Sequence, residues 1–154
     1  MKTLQPEVRL VNPPGQGLGS DIIQWNESLA LGIPSLDQQH RTLVELAGGL
    51  QQAMKNGSSR EHMAQILKEL TLYAEYHFRW EERLFAAAGY PSAADHHYKH
   101  ERFRDQLQQL VERHQKGLLT AGTPVLQFLR TWISDHILSE DRQAAAYLRA
   151  RRTA

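Results

Sequence analysis

Hydrophobic positions recur at alternating four- and three-residue steps along most of this chain, the period of a helix buried on one face. The first such run is Leu36, His40, Leu43, Ala47, Leu50 and Met54. Its strict spacing is that of a bundle seam and predicts a helix over 35–56, with Ser35 as N-cap and Gly57 as stop. A second stripe, Met63, Ile66, Leu70, Ala74 (or Tyr73), His77, Glu81 and Leu84, predicts a helix over 59–88. Ser59 caps it, and Gly89 with Pro91 ends it. His96, His100, Phe103, Leu107, Leu110 and His114 mark a third over 93–117, stopped by Gly117. The fourth opens at Thr123–Pro124, a cap followed by proline at the first helical position. It runs through Val125, Leu129, Trp132 (or Ile133) and His136 to about residue 148.

No alternating strand pattern competes. Short connections favour antiparallel neighbours, so the expected fold is all-α, an antiparallel up-down-up-down four-helix bundle. Residues 1–24 hold Pro13, Pro14, Gly15, Gly17 and Gly19 and read as an irregular N-terminal arm. The bundle then covers 25–148 and a short tail 149–154. Arg142, Arg149, Arg151 and Arg152 read as a solvated helix end. Gly48–Gly49 inside the first helix sacrifices about 1–2 kcal/mol of helix propensity, which points to a neighbour passing close by.

Composition narrows the function. The 154 residues are 41% hydrophobic and 23% charged, with a net charge of +1 and interspersed signs. That balance gives no electrostatic case for nucleic acid or an anionic membrane. There is no cysteine, which removes disulfides, thiolate metal sites and iron–sulfur clusters. No window is apolar over the ~18 residues a membrane span needs. Met1–Leu10 lacks the apolar run of a secretory signal. A cytoplasmic location is the expectation.

The chemistry lies in polar residues on the apolar stripes. In an antiparallel bundle the starts of the first and third helices share one end with the finishes of the second and fourth. His40, His77, Glu81, His96, His100, His136 and Asp141 all fall at that end. His62 and His114 belong to the opposite end, His62 lying about 22 Å along its helix from His77. His97 is about 100° round from His96 and faces solvent. An unpartnered buried polar group costs ~1–3 kcal/mol, so such a set would consume most of a domain's ~5–15 kcal/mol. Metal coordination supplies the missing partner for all of them. Asp141 is the difficult member: five residues after His136 is about 140° round a regular helix. Glu140 suits the spacing better unless Asp141 reaches across or a π-type turn brings it back.

Imidazole and carboxylate ligands without sulfur, too many for one zinc and too nitrogen-rich for magnesium or calcium, fit two octahedral iron or manganese ions. If two carboxylates and one oxo or hydroxo group bridge the pair, five histidines split three and two. One ion is then saturated and the other keeps a single vacancy.

Leu31–Gly32–Ile33 followed by Leu36–Asp37–Gln38–Gln39–His40, then His77–Phe78 with Glu81–Glu82, resembles the hemerythrins. Tyr90–Pro91 with His96, His100 and Phe103, then Trp132, His136–Ile137 and Asp141, extends the resemblance over about residues 25–145. It is closest to bacterial members of the family, here as a single domain. The resemblance implies a non-haem centre of two Fe ions, with an oxo or hydroxo bridge, that binds dioxygen reversibly for storage, carriage or delivery, without turnover. It assigns His96, His100 and His136 to the saturated iron and His40 and His77 to the other, with Glu81 and Asp141 bridging. By position it also implies an O2 pocket of Leu43, Phe78, Trp132, Ile133 and Ile137. The expected partners are dioxygen and an unidentified protein that receives it. The alternatives are an oxygen or iron sensor acting through a partner, or a di-iron enzyme handling peroxide or nitric oxide. Phe85 departs from the methionine frequent in bacterial relatives.

Overall fold

In the computed structural model, which describes residues 22–118 and 123–152, the chain folds into four antiparallel rods with every regular element helical. Most of the N-terminal arm, residues 1–21, lies outside the described part. Helix α1 spans Pro34–Lys55, α2 Arg60–Ala87 and α3 Ala93–Gln115. The fourth rod is composite: α4 (Thr123–Trp132), a π-helical segment Ile133–Asp141, and α5 (Arg142–Arg152). It therefore continues past 148. A one-turn 3-10 helix, Glu27–Leu29, precedes α1.

The stops behave as the pattern predicts. Gly57, Gly89 and Gly117 adopt positive φ just beyond the three helix ends, the left-handed conformation that glycine takes without penalty. Ser59 caps α2 by accepting from the His62 N–H at 3.2 Å. Ser35 does not cap α1. Proline at the first helical position replaces that device, and Ile33 holds the cap position without a side-chain bond. Asp37 instead turns back to accept from the N–H groups of Leu31 (2.7 Å) and Gly32 (3.2 Å), fixing the entry loop.

All six seam residues of α1 are buried. On α2 the seam is wider than the stripe suggested, and Leu67 and Phe85 are buried more deeply than Ile66 and Leu84. The main core gathers Leu43, Leu50, Leu70, Phe78, Phe103, Leu129 and Ile137, with Trp25 packed against its edge. A second cluster closes the end beyond the predicted site: Leu31, Ile33, Leu36, Phe85, Ala144, Ala145 and Leu148. Two arginines expected only to be solvated tie this end down, Arg142 donating to the Ser28 carbonyl at 2.9 Å and Arg149 to that of Leu31.

The two glycines inside α1 also find a reason. The Ile23 carbonyl crosses α1 at Gly48, where a Cβ would overlap it, while the Ile23 N–H donates to Gln51 Oε1 at 2.7 Å. Gly49 faces open space.

Candidate metal centre

The seven predicted residues meet between the rods, and every one is buried. Their polar atoms fall into two groups that share both carboxylates. One comprises His96, His100 and His136 with Glu81 and Asp141. The other comprises His40 and His77 with the same two.

Each carboxylate faces one group with each oxygen. Glu81 Oε1 lies 2.5 Å from His96 Nε2 and 3.2 Å from His100 Nε2; its Oε2 lies 3.1 Å from His77 Nε2 and 3.5 Å from His40 Nε2. Asp141 Oδ1 is 2.9 Å from His96 Nε2 and 3.1 Å from His136 Nε2, and its Oδ2 is 2.9 Å from His40 Nε2. Helix spacing explains the pairs His77–Glu81 and His96–His100, one turn apart on one face. Asp141 enters because Ile133–Asp141 is π-helical, so that residues five apart share a face. Glu140, four residues from His136, is carried outward.

These atoms fit metal ions better than they fit each other. His100 Nε2 and His136 Nε2 stand 2.9 Å apart, a contact that suits two lone pairs directed at a common cation. Separations of this size match the roughly 3 Å edges of an octahedron with bonds of ~2.1 Å. His40 Nε2, His77 Nε2, Glu81 Oε2 and both Asp141 oxygens are buried without a properly aligned hydrogen bond. Native interiors rarely leave so many polar atoms unmatched in one place.

Three of the outward-facing ring nitrogens, in contrast, have partners. His77 Nδ1 donates to Gln39 Oε1 at 2.8 Å, His100 Nδ1 to Glu82 Oε1 at 3.1 Å, and His136 Nδ1 to Glu140 Oε2 at 2.8 Å. Such bonds fix the tautomer that presents Nε2 inward. Gln39, Glu82 and Glu140 escaped the pattern analysis as outer supports. The first two carry no periodic signal, and the four-residue step from His136 suggested a ligand at Glu140 instead.

Metal-free, the cluster attracts protons. Burial opposes charge on His40 and His96, but the adjoining carboxylates of Asp141 and Glu81 prevail and push each up to about 9. Burial likewise opposes charge on His136, yet Asp141 raises it well above its ordinary value. On His77 burial prevails and lowers it. Burial works against ionisation of Glu81 and Asp141, yet the surrounding histidines hold both below the usual carboxylate range.

Aromatic rings and aliphatic side chains enclose the cluster. Phe78 stacks on His100 at 4.0 Å, Trp132 on His136 at 4.8 Å, and Phe85 meets His96 edge-on at 4.9 Å. Leu43, Ile133 and Ile137 share the buried core with Phe78, and Trp132 is half-buried against it. The other histidines lie apart. His114 bonds the Arg60 carbonyl at the far end, His62 is exposed, and His97 is half-exposed beside Glu82.

A family model of the hemerythrin HHE cation-binding domain matches residues 31–148. The bacteriohemerythrin of Stenotrophomonas maltophilia is 32% identical over 133 residues, covering 84% of this chain and 83% of that protein. That of Clostridium acetobutylicum is 31% identical over 126 residues, 77% of this chain and 95% of that one. A hemerythrin-like protein of Naegleria gruberi is 33% identical over 118 residues, 76% of this chain and 86% of its own. The fold matches a crystal structure of wild-type hemerythrin with a TM-score of 0.75 at 23% identity, over 81% of this chain and 96% of that one. By the family match across most of its length, the chain belongs to the hemerythrin family.

Proposed function

We propose that this protein binds dioxygen reversibly at a non-haem di-iron centre. In this reading His96, His100 and His136 hold one iron, His40 and His77 the other, and Glu81 and Asp141 bridge them. The observation that carries it is the pair of buried ligand groups sharing both carboxylates, one with three imidazoles and one with two. The unequal count is what favours binding of one small molecule at the two-histidine side. When bound, the two irons would supply one electron each to the small molecule.

The chain's own residues do the rest. Glu81 and Asp141 keep the two groups at a fixed separation. Leu43, Phe78, Trp132, Ile133 and Ile137 are assigned to the walls of the oxygen pocket. They exclude water and carry no acid or base that could deliver a proton and drive irreversible reduction. Five imidazoles with two carboxylates offer less negative charge to high-valent iron than the four-carboxylate set of oxygen-activating bundles, which favours release over turnover.

The test is anaerobic reduction of the iron-loaded protein followed by admission of air, with iron analysis and an optical spectrum. The expected result is two irons per chain and one dioxygen taken up per iron pair, with colour that disappears under argon. Sustained peroxide consumption would make the protein an enzyme. Fewer than about 1.5 irons per chain after careful loading, against the paired ligand sets expected of a two-metal site, would overturn the reading.

A further inference from the structure

The outer supports of the ligand histidines are not alike. On the three-histidine side, His136 Nδ1 donates to the Glu140 carboxylate at 2.8 Å, and the other oxygen of Glu140 is held by Lys99 Nζ at 2.8 Å. His100 Nδ1 donates to Glu82 at 3.1 Å, and Arg104 grips that carboxylate at 3.2 and 3.4 Å. On the two-histidine side, His77 Nδ1 donates to a neutral amide, Gln39. His40 Nδ1 is buried with no hydrogen-bond partner among the described residues.

A carboxylate acceptor draws the Nδ1 proton more strongly than an amide does, since charge-assisted bonds are about twice as strong as neutral ones. The ring then donates more density through Nε2. Lys99 holds the Glu140 oxygen that His136 leaves free, whereas Arg104 spans both oxygens of Glu82 and, with His97 Nδ1 at 2.8 Å, shares Oε1 with His100; these contacts orient the carboxylates and keep them ionised. We propose that this outer ring makes the two metal positions electronically unequal: Glu140 and Glu82 enrich the three-histidine position, while Gln39 leaves the two-histidine position poorer. The first electron to leave the pair departs from the three-histidine side, and the side that takes the ligand is the harder to oxidise on its own. The inference rests on the di-iron reading above. Glu140 and Glu82 act through His136 and His100 and are positioning residues.

The oxidation is loss of one electron from a ferrous ion to give ferric. The electrode accepts the electron, and no bond is made or broken in the protein. Potentiometric titration of the iron-loaded protein should resolve two steps. Glu140→Gln and Glu82→Gln should each shift the first step about tenfold toward ferrous, ~59 mV upward for one electron. Glu140→Asp should restore part of it. Gln39→Glu should move the second step the opposite way and leave the first in place, a sign that simple loosening of the site would not produce. Zinc-loaded protein gives a readout independent of iron chemistry. The Nδ1–H proton resonances of His100 and His136 should lie downfield of that of His77, and Glu140→Gln should move only the His136 signal upfield. Equal shifts of both steps in all variants, or a His77 resonance as far downfield as that of His136, would overturn the inference. Full iron loading without dioxygen uptake, with the unequal steps intact, would remove the proposed function and leave this one standing.

Discussion

Metal removal should cost this protein a large part of its stability. Five central atoms, His40 Nε2, His77 Nε2, Glu81 Oε2 and the two Asp141 oxygens, lack aligned partners. At ~1–3 kcal/mol for each unsatisfied buried group, the sum is about 5–15 kcal/mol, as large as the stability of a typical domain. Protons offset part of this, because His40 and His96, pushed up to about 9, carry charge beside the two carboxylates at neutral pH. The lower end, about 5 kcal/mol, is therefore the expectation. For a chain of this size each kcal/mol moves the melting temperature by ~2–4 °C, so chelation should lower it by about 10–20 °C. Calorimetry of the loaded protein and of a metal-free sample from the same preparation measures the difference. A shift below ~3 °C, less than one unsatisfied group is worth, would refute the idea that these atoms are arranged for cations.

Other tests follow from the same geometry. The raised His40 and His96 stabilise the metal-free fold fully below their ordinary value of 6.5, and that contribution is lost as pH climbs to about 9. Its urea midpoint should therefore fall across that interval, and a midpoint that rises would contradict the assignment. Gly48→Ala should destabilise by about 1–2 kcal/mol, because the Cβ displaces Ile23 and its bond to Gln51, whereas Gly49→Ala should gain up to ~1 kcal/mol. Urea melts of the two variants give the comparison, and equal effects would remove the close approach as the cause. Trp132→Ala should leave iron content intact but speed irreversible oxidation in air several-fold. An unchanged lifetime would take that residue out of the pocket wall.

Much of this was legible in the chain because helical period and glycine stops are local signals. Leu36 through Met54 could be placed on one face of α1, and antiparallel order alone put seven polar residues at one level. The π-helical turn was legible only as one of two ways to bring Asp141 back, the other being a side chain that reaches across. Nothing in the composition of Ile133–Asp141 marks it, and regular periodicity favoured Glu140 over Asp141. The reason for Gly48 was equally hidden, since it lies in the backbone of Ile23, far away in sequence. Gln39 and Glu82 were missed because an outer support need only reach a ring nitrogen, which leaves no repeat to detect.

The wider turn of the fourth rod has a bearing beyond the ligand it delivers. A π-helical stretch winds more slowly than the α-helix on either side, so all that follows it is rotated relative to what precedes it. Ala144, Ala145 and Leu148 meet Leu31, Ile33, Leu36 and Phe85 only in that rotated setting. Removing one residue between Ile133 and Asp141 would thus unscrew that end of the bundle along with the cluster of buried histidines and carboxylates. The π-helical turn serves both, and neither can dispense with it alone.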